Sequence, residues 1–160
     1  MTTSVKRTVL DVLRHPAATQ VATLRIPRMP YGARALVDVD TSRLPWKRAL
    51  TYIERRGFTL EEAINAQIHY CPKGALSGYL IFPVHQGGAR VYWTSRYCGN
   101  HVIKARNPDK GEDRYGREHC LLGLDESIGV PLLSLVEGPF DRMAAMPALA
   151  LLGKEMSDFQ

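Results

Sequence analysis

Two acids near the end of the chain are the residues whose type and spacing most suggest chemistry. Glu137 and Asp141 flank Gly138-Pro139-Phe140, directly after the apolar run Leu132-Leu133-Ser134-Leu135-Val136. This run reads as a buried strand that delivers an acid into a glycine turn. A helix and a second buried strand, ending at Leu151-Leu152-Gly153, are predicted to follow. An acid at the carboxyl end of a parallel strand is where α/β folds hold their reactive groups. Carboxylates also supply the hard oxygen ligands that Mg²⁺ prefers. Both acids have plainer readings. Glu137 also reads as a surface acid at a strand end, and Asp141 as an acid stabilising the following helix N-terminus. A zinc site among Cys98, His101, His119 and Cys120 is not expected, because adjacent ligands do not easily face one tetrahedral ion and the spacing fits no usual zinc pattern.

The charge distribution separates the two ends of the chain. Residues 1–120 hold 19 Lys and Arg against 10 Asp and Glu, whereas residues 121–160 hold 2 against 6. A basic body beside an acidic end suits a nucleic-acid protein with a cation site. The same asymmetry also arises in a basic protein with a chance acidic tail. The 160 residues, 45% hydrophobic and 23% charged, describe an ordinary globular chain of one domain or slightly more. No apolar run is long enough to span a bilayer, and the N-terminus lacks a signal-peptide pattern. Three cysteines with no CxxC pair imply reduced thiols. A cytoplasmic location is expected.

The elements that must position these groups follow from periodicity. Val5, Val9, Val12 and Leu13 mark one face of a short helix over residues 4–14. Residues 21–39 hold two strand-like pieces, Val21–Ile26 and Ala35–Val39. Pro45 near a first turn and Gly57 as a C-terminal stop bound a second helix. Thr59 and Glu62 form a capping-box pair that opens a third helix over roughly 60–67. The period then changes to that of strands: Ile68–Cys71, then Tyr79–Val84 ended by a proline, a turn at Gln86-Gly87-Gly88, and Ala89–Tyr97. Residues 98–120 are polar and contain a basic run. Leu121-Leu122-Gly123-Leu124 begins a final α/β portion. In a regular strand, Trp93 and Tyr97 lie opposite Arg96. Both could stack on bases, but core packing suits Trp93 better.

In this order, the pieces resemble the catalytic core of bacterial and phage DnaG-type DNA primases over about residues 45–160. The matching segments are Ala49 to Thr59, Gly78-Tyr79-Leu80-Ile81-Phe82-Pro83-Val84, Arg96, Lys104-Ala105-Arg106-Asn107-Pro108, and Leu121-Leu122-Gly123-Leu124. Val136-Glu137-Gly138-Pro139-Phe140-Asp141 is similar to the opening of a Toprim module, and Leu152-Gly153 with Ser157 and Gln160 fits the segment after it. Single motifs of this kind are weak, and their order carries the resemblance. Where the family has paired glycines before the basic residue, this chain has Thr94-Ser95. The N-terminal zinc module, the later Asp-x-Asp strand and the helicase-binding domain of the family have no counterpart in these residues.

The resemblance implies an α/β (α+β) fold in which a helical hairpin and antiparallel strands precede an incomplete, Rossmann-like Toprim βαβ. The implied organisation is a poorly legible segment 1–44, a basic nucleic-acid-facing subdomain 45–125 and a partial Toprim module 126–160. The implied catalytic and metal-binding residues are Glu137 and Asp141, with Mg²⁺ or Mn²⁺ held weakly. The implied nucleic-acid contacts are Arg96, Lys104, Arg106 and Asn107. Arg106, Lys110, Arg114 and Arg117 are diluted as a cationic run by Asp109, Glu112, Asp113 and Glu118. The activity implied is RNA primer synthesis from nucleoside triphosphates on a single-stranded DNA template, with an RNA–DNA hybrid as product. A second polypeptide is expected to complete the Toprim site, and a replicative helicase is a possible further partner. Robust polymerase activity from this chain alone is not expected. A non-catalytic module that binds single-stranded DNA or a replication partner, and a decayed gene product, are the alternatives. Leu151 and Leu152 are expected to leave an exposed apolar sheet edge unless a partner covers it.

Overall fold

In the computed structural model, residues 24–100, 103–111 and 113–153 are described. The predicted helix at 4–14, the first residues of the piece Val21–Ile26, and Ser157 and Gln160 lie outside them. A four-stranded antiparallel sheet runs in the order β1 (Arg34–Ala35), β2 (His69–Cys71), β3 (Tyr79–Gln86), β4 (Ala89–Tyr97). A separate two-stranded parallel sheet pairs β5 (Ser134–Val136) with β6 (Ala148–Ala150).

Two helices cover one face of the larger sheet. The first, α1 (Trp46–Arg55), follows Pro45 and buries Ala49 and Ile53, four residues apart on one stripe. Its end is closed by two bonds, Gly57 N–H to the Glu54 carbonyl at 2.9 Å and Phe58 N–H to the Ile53 carbonyl at 3.3 Å. This is the Schellman pattern that glycine favours. The predicted capping box opens α2 (Leu60–Asn65): Thr59 Oγ1 accepts from Glu62 N–H at 3.2 Å, and Thr59 N–H donates to Glu62 Oε2 at 2.7 Å.

Strands β3 and β4 are buried along most of their length, so their sequences are apolar on both faces. Register assigns the faces. Leu80 pairs with Arg96, Phe82 with Thr94 and Val84 with Tyr92. The opposite face carries the pairs Tyr79–Tyr97, Ile81–Ser95 and Pro83–Trp93. Leu80 and Phe82 join Ile53, Ile68 and Tyr70 in the core under the helices. Trp93 packs with Tyr79 and Ile81 against Met29 and Leu76, and its indole N–H donates to the Arg28 carbonyl at 2.9 Å. Trp93 is therefore a core residue.

Three strand expectations need correction. Pro83 does not end β3. The strand continues to Gln86, with Pro83 paired in register to Trp93 and a register shift only beyond it, between Val84 and His85. Ala35–Val39 is not a strand: after Ala35 the chain turns into a 3-10 helix at Leu36–Asp38, which buries Leu36. In Val21–Ile26, the described part contributes only an isolated bridge between Arg25 and Arg114.

The final portion is built as β5, a Gly138-Pro139 turn, α3 (Pro139–Ala144) and β6. Here burial corrects the sequence reading for the first of the two strands. β5 is largely exposed: Leu135 is 41% accessible, and Leu132, just before the strand, 82%. β6 is buried, and Leu151 and Leu152 after it are buried too. Leu122 explains the difference by bonding Ala150 antiparallel on the other side of β6, at 3.2 and 3.0 Å. Tyr92, Tyr115, Cys120, Leu122, Ala150 and Leu152 then close over this contact. Among the described residues, the sheet edge without a strand partner is that of β5, and Leu151 and Leu152 are buried.

Candidate nucleic-acid interface

Of the predicted cationic groups, Arg96 meets the predicted acidic turn where the two sheets join. Phe140, the second residue of α3, is 8% exposed and sits in the core of the larger sheet. Its ring lies 5.3 Å from Phe82, 5.7 Å from Phe58 and 5.9 Å from Tyr52 by centroids, and the Arg56 guanidinium lies over it at 5.3 Å. This contact fixes the Glu137-Gly138 turn against the end of β4. Arg96 Nη2 lies 3.3 Å, and Asp141 Oδ2 3.1 Å, from the point where a Cβ on Gly138 would stand. A guanidinium and a carboxylate thus share the space over one glycine. The Gly138 backbone is extended, so glycine is needed here for room and not for conformation.

Glu137 is exposed beside this point. The Asp141 carboxylate accepts the Gly138 N–H at 3.1 Å and so closes the first turn of α3. That geometry matches the plainer reading of Asp141 while leaving its carboxylate on the same turn as Glu137. Among the described residues, no group of three or more His, Cys, Asp or Glu side chains converges.

The basic segment after β4 folds back along that strand. Tyr97 N–H donates to the Lys104 carbonyl at 2.9 Å. The Ser95 hydroxyl donates to the Arg106 carbonyl and accepts its N–H at 3.0 Å. Thr94 Oγ1 donates to Asn107 Oδ1 at 2.7 Å. These pairs keep one antiparallel register, so residues 104–107 form an irregular fifth pass beside β4. Thr94 and Ser95, both buried, use their hydroxyls to hold it.

The segment does not gather all four predicted contacts on one face. Asn107 bonds Thr94, on the face that carries Arg96. Arg106 turns to the other face, its guanidinium over the Tyr79 ring at 6.0 Å and bonded to the Ala75 carbonyl at 3.4 Å. Lys104 is exposed opposite Tyr97. Arg114 faces Asp109 at 3.8 Å and Arg25 faces Asp113 at 3.3 Å, so the later cations are partly neutralised by neighbouring acids.

Sequence reasoning missed Arg142, which is 6% exposed. Its Nε donates to the Ala148 carbonyl at 3.0 Å, its Nη2 faces Glu126 at 3.6 Å, and it crosses directly over Gly123. Gly123 lay in a motif that was read, but no local pattern links it to an arginine 19 positions later. Phe140 was legible only as part of the turn motif. The three cysteines are buried, and none of them forms a disulfide. Burial pushes the Cys98 thiol up to about 12, so it is neutral beside the cations of α1.

No protein-family model and no curated protein matches this sequence. Solved structures do match the fold. One, described as the DnaG primase catalytic domain bound to ssDNA, aligns with a TM-score of 0.61 and 19% identity over 72% of this chain and 49% of its own. Another, the DnaG catalytic core, aligns with a TM-score of 0.58 and 20% identity over 71% of this chain and 49% of its own. The alignment thus spans about half the length of these structures. Over that region, the mixed α/β architecture of this chain is the fold of a primase catalytic core.

Proposed function

We propose that this chain is a component of a DNA primase that synthesises RNA primers on single-stranded DNA. The observation that carries this reading is the placement of Arg96 over the Glu137-Gly138 turn, in a fold matched by a primase domain described as bound to ssDNA. Arg96, with Asn107 on its face and Lys104 at the strand edge, holds template phosphates by charge and hydrogen bonds. Glu137 serves as an oxygen ligand or acid/base partner, and Asp141 assists it from the same turn.

Nucleotidyl transfer uses cations to steady charge on the attacking and leaving oxygens. In this reading, Glu137 and Asp141 provide part of the site for Mg²⁺ or Mn²⁺, and a second polypeptide carrying the remaining Toprim acids provides the rest. Nucleoside triphosphates are the substrates of the completed site. The engagement of Asp141 with the helix turn favours a second reading, in which the chain binds single-stranded DNA without catalysis.

Fluorescence anisotropy of a labelled single strand, measured across a salt series, tests the reading common to both. Wild type is expected to bind with a steep salt slope, and Arg96→Ala/Lys104→Ala to lose about 1.4 from that slope, at ~0.7 per phosphate contact on single strands. No binding by the wild type, or an unchanged slope in the variant, overturns it.

A further inference from the structure

Helix α1 contradicts its own dipole. A helix N-terminus favours acids, yet the first turn of α1 has none and instead carries Lys47 and Arg48. No side chain caps it. Local rules are most often broken where a site demands it. Lys47, Thr51 and Arg55 follow at four-residue intervals, which puts them on one stripe of the helix. A groove of about 360 Å³ lies along this stripe, lined by Lys47, Arg48, Thr51, Tyr52 and Arg55 together with Leu44 and Cys98. Glu54, the acid in this helix, is not part of its lining.

The groove is joined to the end of β4. Arg48 Nη2 donates to the Tyr97 hydroxyl at 3.1 Å and lies 2.8 Å from the Cβ point of Gly99. Tyr97 in turn is bonded to Lys104 through the backbone. Lys47 and Arg55 are eight residues apart, which is about 12 Å along a helix. That is the length of three to four stacked nucleotides at ~3.4 Å each.

We infer that the Lys47–Arg55 face of α1 is a second phosphate-binding track, which takes the backbone of a single-stranded nucleic acid as it passes beyond Lys104 at the strand edge. The inference rests on the single-strand binding proposed above and extends it to a surface outside the resemblance-derived contacts. Lys47 and Arg55 grip phosphates as cations, and the Thr51 hydroxyl lies between them. Arg48, held by Tyr97, joins the two surfaces.

The test is the anisotropy salt series with a labelled 20-nucleotide single strand, comparing wild type, Arg96→Ala, Lys47→Ala/Arg55→Ala and Lys47→Arg/Arg55→Lys. Both exposed positions accept alanine within a helix, and circular dichroism checks the fold. The alanine pair is expected to weaken binding several-fold and to lower the salt slope by about 1.4, while the charge-preserving pair restores the slope. If wild type and Arg96→Ala bind as proposed but the alanine pair keeps the wild-type slope, the track is refuted and the proposed function stands. If wild type shows no salt-dependent binding, both fall. Loss of binding that the charge-preserving pair fails to restore also overturns the track, since phosphate contacts need only the charge.

Discussion

Replacing Phe140 perturbs the joint on which the candidate site depends. The ring is almost fully buried and is enclosed by Phe58, Tyr52, Phe82 and the Arg56 guanidinium, all within 6 Å by centroid. Deleting a buried phenylalanine ring costs about 3–5 kcal/mol, and more where the surroundings cannot collapse. Here the neighbours come from α1, the following turn and β3, so collapse is restricted and a cost of about 4 kcal/mol is expected for Phe140→Ala. Phe140→Leu keeps most of the apolar area but loses three ring pairs worth about 0.5–1.5 kcal/mol each, partly offset by aliphatic contact. A loss of about 1–2 kcal/mol follows. Urea unfolding reports both, followed through the fluorescence of Trp46 and Trp93. Since 1 kcal/mol moves Tm by ~2–4 °C at this chain length, the alanine variant should melt roughly 8–16 °C lower. The leucine variant should bind single strands more weakly than its stability loss alone explains, because the turn beneath Arg96 loses its anchor. A cost below about 1 kcal/mol for Phe140→Ala would refute the claim that this ring joins the two sheets.

Three further outcomes follow from close contacts and caps. Gly123→Ala puts a methyl 1.9 Å from Arg142 Nε at a φ of +93°, and must expel a buried guanidinium; it should cost more than about 3 kcal/mol by chemical denaturation. Gly138→Ala meets only the flexible ends of Asp141 and Arg96, at 3.1 and 3.3 Å; stability should change by under about 1 kcal/mol while single-strand affinity falls in the anisotropy assay. Thr59→Ala should lower Tm by roughly 2–4 °C at neutral pH through loss of the capping box. Bonds from Thr59 hold the Glu62 carboxyl below its ordinary range, so the stabilisation is present above that range and is lost as pH falls through the depressed value. Melting at pH 7 and near pH 3 should therefore show the gap between wild type and Thr59→Ala narrowing in acid.

Elements with local signals were legible in the sequence. Thr59 and Glu62 announced the start of α2, Gly57 the end of α1, and Gly87-Gly88 the β3–β4 turn, because each acts through backbone atoms a few residues away. Alternation correctly put Trp93 opposite Arg96. Pro83 misled because a proline is tolerated inside a strand where its missing N–H is not needed for pairing, and that depends on the neighbouring strands. Both β5 and β6 read as buried because both runs are apolar, and only β6 is. Only the distant bridge from Leu122 decides which of them lies inside. The grouping of the residues expected at the candidate site was not legible in the sequence. The division of Arg96 and Asn107 from Arg106 depends on how residues 104–107 fold back, and their holders, Thr94 and Ser95, stand where the resemblance expected glycines.

The most direct measurement is cross-linking of a single strand containing 4-thiothymidine to this chain, followed by peptide mapping. If template lies over Arg96 and the Glu137-Gly138 turn, cross-links should concentrate in peptides covering residues 91–107 and 134–142, and Arg96→Ala should reduce both sets together. Cross-links confined to other surfaces, or none under conditions where the strand binds, would contradict the proposed interface.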